Sequence, residues 1–279
     1  MSNAPSKEPA KPLSIDGNTK LIPVLGDPIG QVKSPAGISS EFNAKGQNAL
    51  CIPWHVKPAD FDAVMQGLKA TQNCAGYIVT VPYKSRVLSH VNKPSPRVQR
   101  IGAVNIVRRE GDNWIGDMLD GVGFTRALIN NLGFDFKGKR ALVIGTGGAG
   151  SAIIDSIAEA GAASITIFDL DKAKANEVAT RFGKAHTGCK ITVGAAVAEG
   201  HDLIVNATPC GMSEGDGMPA PFGKLDANVV VADVVTKPEI TPLLAHAKTC
   251  GCKISTGIQM YQAQAAMIAD YLIPGKSDV

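Results

Sequence analysis

A glycine-rich turn between a strand pattern and a helix pattern restricts the fold of this chain more than any other feature. Residues 141–144 form a short apolar run, and Gly145, Gly147 and Gly150 then follow the spacing G-x-G-x-x-G. Residues 151–160 continue with isoleucines at helical spacing, so the pattern predicts a buried strand, a tight turn and a helix. Such glycines permit the turn, the approach of backbone to a pyrophosphate and close packing of helix on strand. The pattern therefore predicts a dinucleotide site, with the phosphates at the helix N-terminus.

An acidic residue after the next strand pattern indicates which dinucleotide binds. Residues 164–168 have the character of a strand and lead directly into Asp169, at the βαβ spacing where a ribose-binding carboxylate is expected. A carboxylate there accepts hydrogen bonds from both ribose hydroxyls and repels a 2′-phosphate, so the sequence favours NAD over NADP. The alternative is that Asp169 only caps the following helix, although Asp171 is better placed for that role.

Composition and charge exclude several other classes of protein. The chain has 279 residues, of which 44% are hydrophobic and 19% charged, and this length suits two domains. A net charge of +3 with 5% aromatic residues disfavours a nucleic-acid surface. No apolar run approaches transmembrane length, and the polar, proline-rich start does not resemble a signal peptide. We therefore expect a mobile tail over residues 1–18, no membrane partner and a cytoplasmic location.

Cysteines and histidines give no sign of a metal site. The six cysteines lack C-x-x-C spacing, and the five histidines stand far apart without a partner motif. We therefore expect free thiols and no bound metal.

The first half of the chain also alternates strand and helix patterns, which predicts a second α/β layer. Ser34 precedes Pro35 at the start of a helix pattern, and it is either the helix cap or a ligand-binding hydroxyl. Lys84 follows a buried strand at the edge where open α/β sheets bind ligands, unless it is a solvated loop lysine. Asn105 interrupts an apolar run, and its burial would require hydrogen-bond partners. Asp120 precedes a helix either as its cap or as a functional carboxylate.

Several segments together resemble one family, the shikimate and quinate dehydrogenases, over residues 21–272. The resemblance rests on these ordered motifs: Gly26-Asp-Pro-Ile with Ser34-Pro35, Val79-Thr-Val-Pro-Tyr-Lys84, Gly102-Ala-Val-Asn105, Gly116-Asp-Met-Leu-Asp-Gly121, Asn206-Ala-Thr208 with Gly211-Met212, Pro238 with Thr241-Pro242, and Gly257, Met260 and Gln264 in the last helix. It implies two α/β domains with a cleft between them, the second a Rossmann-type doubly wound parallel sheet. The implied divisions are a flexible tail (1–18), a substrate-binding domain (19–119), an NAD-binding domain (120–255) and a C-terminal helix returning to the substrate domain (256–279).

The resemblance also implies roles for individual residues. It makes Lys84 and Asp120 a catalytic pair that transfers the proton of a secondary alcohol as a hydride moves to or from the nicotinamide. The implied substrate-binding residues are Ser34, Thr80, Asn105 and Gln264. The implied cofactor-binding residues are Gly145, Gly147, Gly148, Ala149, Gly150, Asp169, Asn206, Thr208, Gly257 and Met260.

Departures from the family pattern are expected to gather in the substrate pocket. Six residues stand where the family has a polar, aromatic or glycine residue: Val32, Ile78, Met118, Leu119, Thr236 and Gln259. A site that loses hydrogen-bonding groups loses affinity for the ligand that needed them, so we expect shikimate to bind weakly. Asp169 and Leu170 stand where the family's asparagine and arginine suit an NADP phosphate, which agrees with NAD as the cofactor.

Two functions of different classes fit these residues. The leading hypothesis is an NAD-dependent dehydrogenase of a cyclic hydroxy acid or related alcohol, with a small-molecule substrate; a homodimer is left open. The second is a metabolite-sensing or regulatory protein that keeps the fold and binds without turnover. Retention of both Lys84 and Asp120 counts against the second, since a pure binder needs no proton-transfer pair.

Overall fold

The computed structural model of the chain describes residues 15–30 and 32–274. The predicted tail, residues 1–18, therefore lies almost entirely outside the described residues. Among the residues that the structure describes, no helix is both long and apolar enough to cross a membrane.

A mixed six-stranded sheet forms the first half of the chain. Its strands run in the order β2-β1-β3-β5-β6-β4, and β1 pairs in parallel with both β2 and β3. The strands are Lys20–Gly26 (β1), Ala49–His55 (β2), Gly76–Val79 (β3), Lys93–Pro94 (β4), Ile106–Glu110 (β5) and Asn113–Asp117 (β6). The helices are Ser34–Ala44 (α1), Phe61–Ala70 (α2) and Pro96–Ile101 (α3), with a short 3-10 helix over Arg86–His90. β3 is buried along its whole length, and α2 buries Phe61, Met65 and Leu68, which lie on one face at helical spacing.

A parallel six-stranded sheet forms the second half and confirms the predicted Rossmann fold. Its strands are Arg140–Ile144 (β7), Ser164–Phe168 (β8), Lys190–Val193 (β9), Leu203–Asn206 (β10), Val230–Asp233 (β11) and Lys253–Ser255 (β12). Its helices are Gly148–Glu159 (α5), Lys172–Ala185 (α6) and Pro242–Thr249 (α7). The spatial order β12-β11-β10-β7-β8-β9 is the doubly wound order, with the reversal between β7 and β10. Ligands of such sheets bind at the carboxyl ends of the strands beside that reversal.

Two further helices join the two sheets. Asp120–Leu132 (α4) leads from the first sheet towards the second and packs against α5, and Gly257–Leu272 (α8) follows β12 and packs on α4 and α1. α3 is held to α5 by Arg100, whose guanidinium donates to both oxygens of the buried Asp155 at 2.9 Å. The predicted domain boundaries, after residues 119 and 255, stay a prediction. The contacts of α8 with α1 agree with the expectation that the C-terminal helix returns to the first domain.

Candidate active site

A cleft of about 290 Å³ lies where strand ends of both sheets meet α8. Its walls come from the segments that follow β3, β10 and β11, from the starts of α4 and α5, and from one face of α8. Ten of the sequence-predicted site residues line it: Ser34, Thr80, Lys84, Asn105, Asp120, Ala149, Thr208, Gly257, Met260 and Gln264. The structure therefore brings most of the predicted site residues together in one cavity.

Lys84, Asp120 and Asn105 form a hydrogen-bonded group on the wall of the cleft. Lys84 Nζ donates to Asp120 Oδ2 at 2.5 Å, and Asn105 Nδ2 donates to Asp120 Oδ1 at 2.7 Å. Asn105 Oδ1 accepts the backbone N–H of Leu119 at 2.9 Å, which fixes the orientation of the amide. The lysine side chain is 17% exposed and the aspartate side chain 8%. The ammonium is therefore held at the cleft with its charge balanced, and Asp120 is not the side-chain cap of α4.

The segment that carries Lys84 is anchored by the residue before it. Tyr83 is buried, its ring stacks on Phe61 with centroids 4.2 Å apart, and its hydroxyl donates to the carbonyl of Val56. The backbone N–H of Thr80 donates to Leu25 at 2.9 Å, which continues the pairing with β1. Lys84 is thus presented by a rigid turn, and the sequence-based alternative of a solvated loop lysine is wrong.

Gln264 and Ser34 offer polar groups to the cleft that no described residue satisfies. Gln264 is 9% exposed, and its Oε1 has no hydrogen-bond partner among the described residues. A buried acceptor left without a partner is costly, so a donor from a bound ligand would be stabilising here. Ser34 is the first residue of α1, but Lys33 occupies the N-cap position and no side chain caps the helix. The predicted capping role of Ser34 is therefore wrong, and its hydroxyl remains free for a ligand.

The glycine-rich turn has the shape that a dinucleotide requires. A Cβ at Gly150 would lie 2.1 Å from the carbonyl oxygen of Gly145, and one at Gly145, which has φ +99°, would lie 2.7 Å from Thr208 Cγ2. Both positions therefore require glycine, while the space beside Gly147 is open. A Cβ at Gly148 would lie 3.3 Å from Lys84 Cδ, so the turn runs directly alongside the lysine. The residues present thus fit a dinucleotide whose phosphates meet the N-terminus of α5.

Asp169 lies at the end of β8 and is bound to the same turn. Its Oδ2 accepts the backbone N–H of Thr146 at 2.7 Å and the Thr146 hydroxyl at 2.6 Å, and its Oδ1 accepts the N–H of Asp171 at 3.0 Å. Burial raises the pKa of Asp169, but these hydrogen bonds outweigh it and hold the pKa below its ordinary value. The group is therefore an anion at neutral pH. Asp171 accepts the N–H of Lys174 at 3.0 Å, so Asp171 caps α6, as the sequence predicted.

Asn206 lies behind the cleft rather than on it. It is fully buried; its amide donates to Asp233 Oδ2 and to the Cys210 carbonyl, both at 3.0 Å, and its Oδ1 accepts the hydroxyl of Thr208 at 2.7 Å. Burial raises the pKa of Asp233, which also accepts the Thr241 hydroxyl at 2.7 Å. Asn206 thus holds Thr208 in position, and its predicted contact with the cofactor stays a prediction. Sequence reasoning missed Asp233, whose local signal is only an acid inside an apolar run.

The departures from the family pattern do not all reach the cleft. Val32, Ile78 and Thr236 line it, so three of the six departures lie at the cleft. Met118 and Leu119 are buried at 0% and 7% exposure and are absent from the lining. The side chain of Gln259 accepts the N–H of Thr256 at 3.0 Å in a capping box at the start of α8. The expectation that every departure alters the substrate pocket is therefore wrong for these last three residues.

The described residues form no metal-binding cluster beside this arrangement. Within the described ranges, residues 15–30 and 32–274, no group of three or more histidine, cysteine, aspartate or glutamate side chains is placed to hold a metal ion. All six cysteines fall in those ranges and are free.

Comparison with known proteins agrees with the fold and identifies the family. The family model described as the shikimate dehydrogenase substrate binding domain matches residues 24–107, and the one described as shikimate / quinate 5-dehydrogenase matches residues 128–211. The NADP(+) shikimate dehydrogenase of Geobacter metallireducens is 33% identical over 259 residues, or 90% of each chain.

Solved structures show the same similarity. The shikimate 5-dehydrogenase of Listeria monocytogenes, in complex with shikimate and NAD, is 28% identical and superposes with a TM-score of 0.84 over 95% of each chain. The ligand-free 5-ketofructose reductase of Gluconobacter sp. strain CHM43 is 29% identical, with a TM-score of 0.81 over 93% of this chain and 95% of that one. The chain therefore belongs to the shikimate/quinate dehydrogenase family of oxidoreductases.

Proposed function

We propose that this protein transfers a hydride between NAD and a secondary hydroxyl of a cyclic hydroxy acid or related alcohol, and that its pocket is altered from that of a dedicated shikimate dehydrogenase. The hydrogen-bonded group of Lys84, Asp120 and Asn105 carries this proposal. It combines a proton-transfer group with two hydroxyl-binding groups beside the nucleotide turn. A cytoplasmic location and a homodimer stay predictions.

Lys84 has the position needed to move the proton of the reacting oxygen. A bound nicotinamide supplies the hydride acceptor or donor. In reduction, the Lys84 ammonium would donate a proton to the carbonyl oxygen and become the neutral amine; in oxidation that neutral amine would take up the hydroxyl proton and become the ammonium again. Asp120 holds the ammonium by a charge-assisted hydrogen bond, and Asn105 fixes Asp120 from the other side. A binder without turnover has no use for this pair, which favours the enzyme over a regulatory protein.

NAD as the cofactor is supported by the second strand of the Rossmann sheet. Asp169 is an anion whose environment lowers its pKa, and the neighbouring Leu170 is 92% exposed and carries no charge. A 2′-phosphate would meet a carboxylate there, and these two positions supply no cation to bind it. The Geobacter relative is named for NADP(+), while the Listeria structure holds NAD, so the proposal rests on these two residues.

The altered substrate preference is supported by the apolar walls of the cleft. Val32 and Ile78 line it where hydroxyl and amide groups are expected from the family pattern, and each lost partner of a polar ligand group costs about 1–3 kcal/mol. The Gluconobacter neighbour is named for the reduction of 5-ketofructose, so proteins of this fold act on more than one substrate.

Turnover of shikimate is expected to be slow with a high KM, because the cleft lacks these polar partners. Val32→Ser together with Ile78→Asn should raise kcat/KM for shikimate by about tenfold or more, since each restored bond contributes about 1 kcal/mol. The measurement is initial rate with NAD over a panel of ring alcohols that includes shikimate and quinate.

Leu50→Ser serves as the control, because Leu50 lies on the same first sheet outside the cleft lining and offers no group to a ligand. Ordinary dehydrogenase efficiency of the unmodified protein on shikimate would refute the altered pocket. Absence of NAD-dependent turnover on the whole panel would favour the sensing role.

A further inference from the structure

Tyr261 makes an unusual contact at the end of the cleft formed by the start of α1. Its side chain lines the cleft on α8, and its hydroxyl donates to the backbone carbonyl of Lys33 at 3.2 Å. A Cβ at Gly37, on the facing side of α1, would lie 1.8 Å from that hydroxyl oxygen. The tyrosine therefore occupies a notch that exists only because residue 37 has no side chain.

The glycine in this notch is otherwise unfavourable. Gly37 lies inside α1, and its backbone has no positive φ. Glycine within a helix lowers helix stability relative to alanine, so no local conformational need accounts for it. Space for the Tyr261 hydroxyl does account for it, and the two residues form a matched pair.

The contact lies on the backbone of a segment that forms part of the cleft wall. Val32, Lys33 and Ser34 are consecutive, and all three line the cleft. The hydroxyl of Ser34 is not used as a helix cap. Fixing the Lys33 carbonyl fixes the peptide that leads into Ser34, and therefore the direction in which that hydroxyl meets a ligand.

We propose that Tyr261 is a positioning residue that sets Ser34 against the acid group of the substrate and so determines specificity at this end of the cleft. The inference rests on the proposed function for its substrate class. Val32 cannot donate, and the segment presents one hydroxyl, that of Ser34, beside the Lys33 side chain. The direction of that hydroxyl therefore matters more than it would beside a second hydroxyl.

The attachment of α8 to α1 does not depend on this one bond. Lys45 forms an ion pair with Asp270, and the amide of Gln47 donates to the Ile273 carbonyl at 2.7 Å. These contacts hold the far end of α8 to the segment after α1. Loss of the Tyr261 hydroxyl should therefore alter the wall at Ser34 without releasing the helix.

Tyr261→Phe tests the proposal, because it keeps the ring and removes the bond to Lys33. KM for shikimate should rise about fivefold to tenfold with kcat changed less than twofold, as expected for loss of one hydrogen bond used in binding. KM for a vicinal cyclohexanediol, which has hydroxyls but no carboxylate, should stay unchanged. An equal rise for both compounds, or no rise for shikimate, would overturn the proposal.

Tyr271→Phe is the matched control. Tyr271 lies on the same helix and its hydroxyl donates to the Ile115 carbonyl at 2.9 Å, but it does not line the cleft. Its loss should leave KM for shikimate unchanged. A rise equal to that of Tyr261→Phe would mean that loosening α8 anywhere produces the effect, and the positioning role would fall.

Gly37→Ala disturbs the same contact through α1 instead of α8. It keeps the proposal testable if Tyr261→Phe folds poorly. The added methyl should displace the hydroxyl from Lys33 and raise KM for shikimate by the same factor. In the unmodified protein, the methyl of Gly37→Ala should clash with the Tyr261 hydroxyl and lower Tm. In a Tyr261→Leu background there is no hydroxyl to meet, so Gly37→Ala should leave Tm unchanged or raise it. Equal effects of Gly37→Ala on Tm in both backgrounds would show that the two residues do not interact.

Calorimetric titration of shikimate separates this proposal from the proposed function. Kd is measured for the unmodified protein and for Tyr261→Phe, and again in the Val32→Ser, Ile78→Asn background, where shikimate should bind more tightly. A higher Kd for shikimate in Tyr261→Phe supports the positioning role even if no NAD-dependent turnover is found. Absence of turnover would defeat only the enzymatic proposal. An unchanged Kd in both backgrounds overturns the positioning role whether or not turnover occurs.

Discussion

Lys84→Ala is expected to lower kcat by about a hundredfold to ten-thousandfold, the usual range for loss of a general acid–base group, while KM changes much less. The ammonium lies 2.5 Å from Asp120 Oδ2 on the cleft wall and beside Gly148 of the nucleotide turn. Its removal takes away an interaction that the transition state uses more than the ground state does. Steady-state kinetics on the best ring alcohol of the panel, with NAD, provide the measurement.

Two further variants define the role of Lys84. Asp120→Asn should also lower kcat, and the double variant with Lys84→Ala should lose less than the product of the two single losses, because the residues act as a unit. Lys57→Ala is the control, since Lys57 forms an exposed ion pair with Asp27 at 3.0 Å outside the cleft lining, and kcat should stay near its original value. A raised KM with unchanged kcat in Lys84→Ala would reduce the lysine to a binding residue.

Affinity for NAD gives a second readout for Lys84→Ala. The dinucleotide is expected to be held by the turn over residues 145–150 and by Asp169, so the Kd for NAD should stay close to that of the unmodified protein. A large loss of NAD affinity would mean that the glycine-rich turn depends on packing against the lysine stem.

The Rossmann half was predictable because its signals are local. β7, the glycine turn and β8 follow one another along the chain, and each has a pattern of its own. The close approaches at Gly145 and Gly150 confirm why glycine stands there. The pairing of Lys84 with Asp120 was different, because the distance along the chain hides it and only the family resemblance joined the two residues.

Two sequence-based predictions were wrong because a helix starts one residue away from the predicted position or because side chains point away from the cleft. Ser34 before Pro35 has the pattern of a cap, yet the helix begins at Ser34 itself and Lys33 takes the N-cap position. Met118 and Leu119 lie next to Asp120 in sequence but point into the core. A single sequence shows neither the helix start nor the face of an irregular segment, since tertiary packing sets both.

Tyr261 shows what pattern reading leaves out. It lines the cleft on α8, three residues before Gln264, yet no sequence motif singles it out. Its contact with Gly37 joins two helices at opposite ends of the chain, and nothing local to either residue predicts it.

The preference for NAD should narrow strongly or invert when Asp169 is replaced and a cation is supplied at position 170. Asp169→Ala with Leu170→Arg removes the charge that repels a 2′-phosphate and adds a guanidinium able to bind it. A hydrogen bond to a charged group contributes about 1.5–3 kcal/mol, so affinity for NADP should rise by roughly 10-fold to 100-fold. Affinity for NAD should fall with the loss of the ribose-binding carboxylate. Kd values for both dinucleotides, measured by calorimetry, give the ratio.

Asp169 also holds the glycine-rich turn, and the design must separate that role from its charge. Asp169→Asn keeps an oxygen that accepts from Thr146 while removing the negative charge, so it should improve NADP binding with less damage to the turn than Asp169→Ala. Asp171→Ala is the control, because Asp171 caps α6 and its loss should lower stability by about 1 kcal/mol without changing the NAD to NADP ratio. The pKa of Asp169 lies below its ordinary value, so the preference should persist from neutral pH down to about pH 5. Equal affinity of the unmodified protein for the two dinucleotides would show that the Asp169 carboxylate only holds Thr146 and does not bind the ribose.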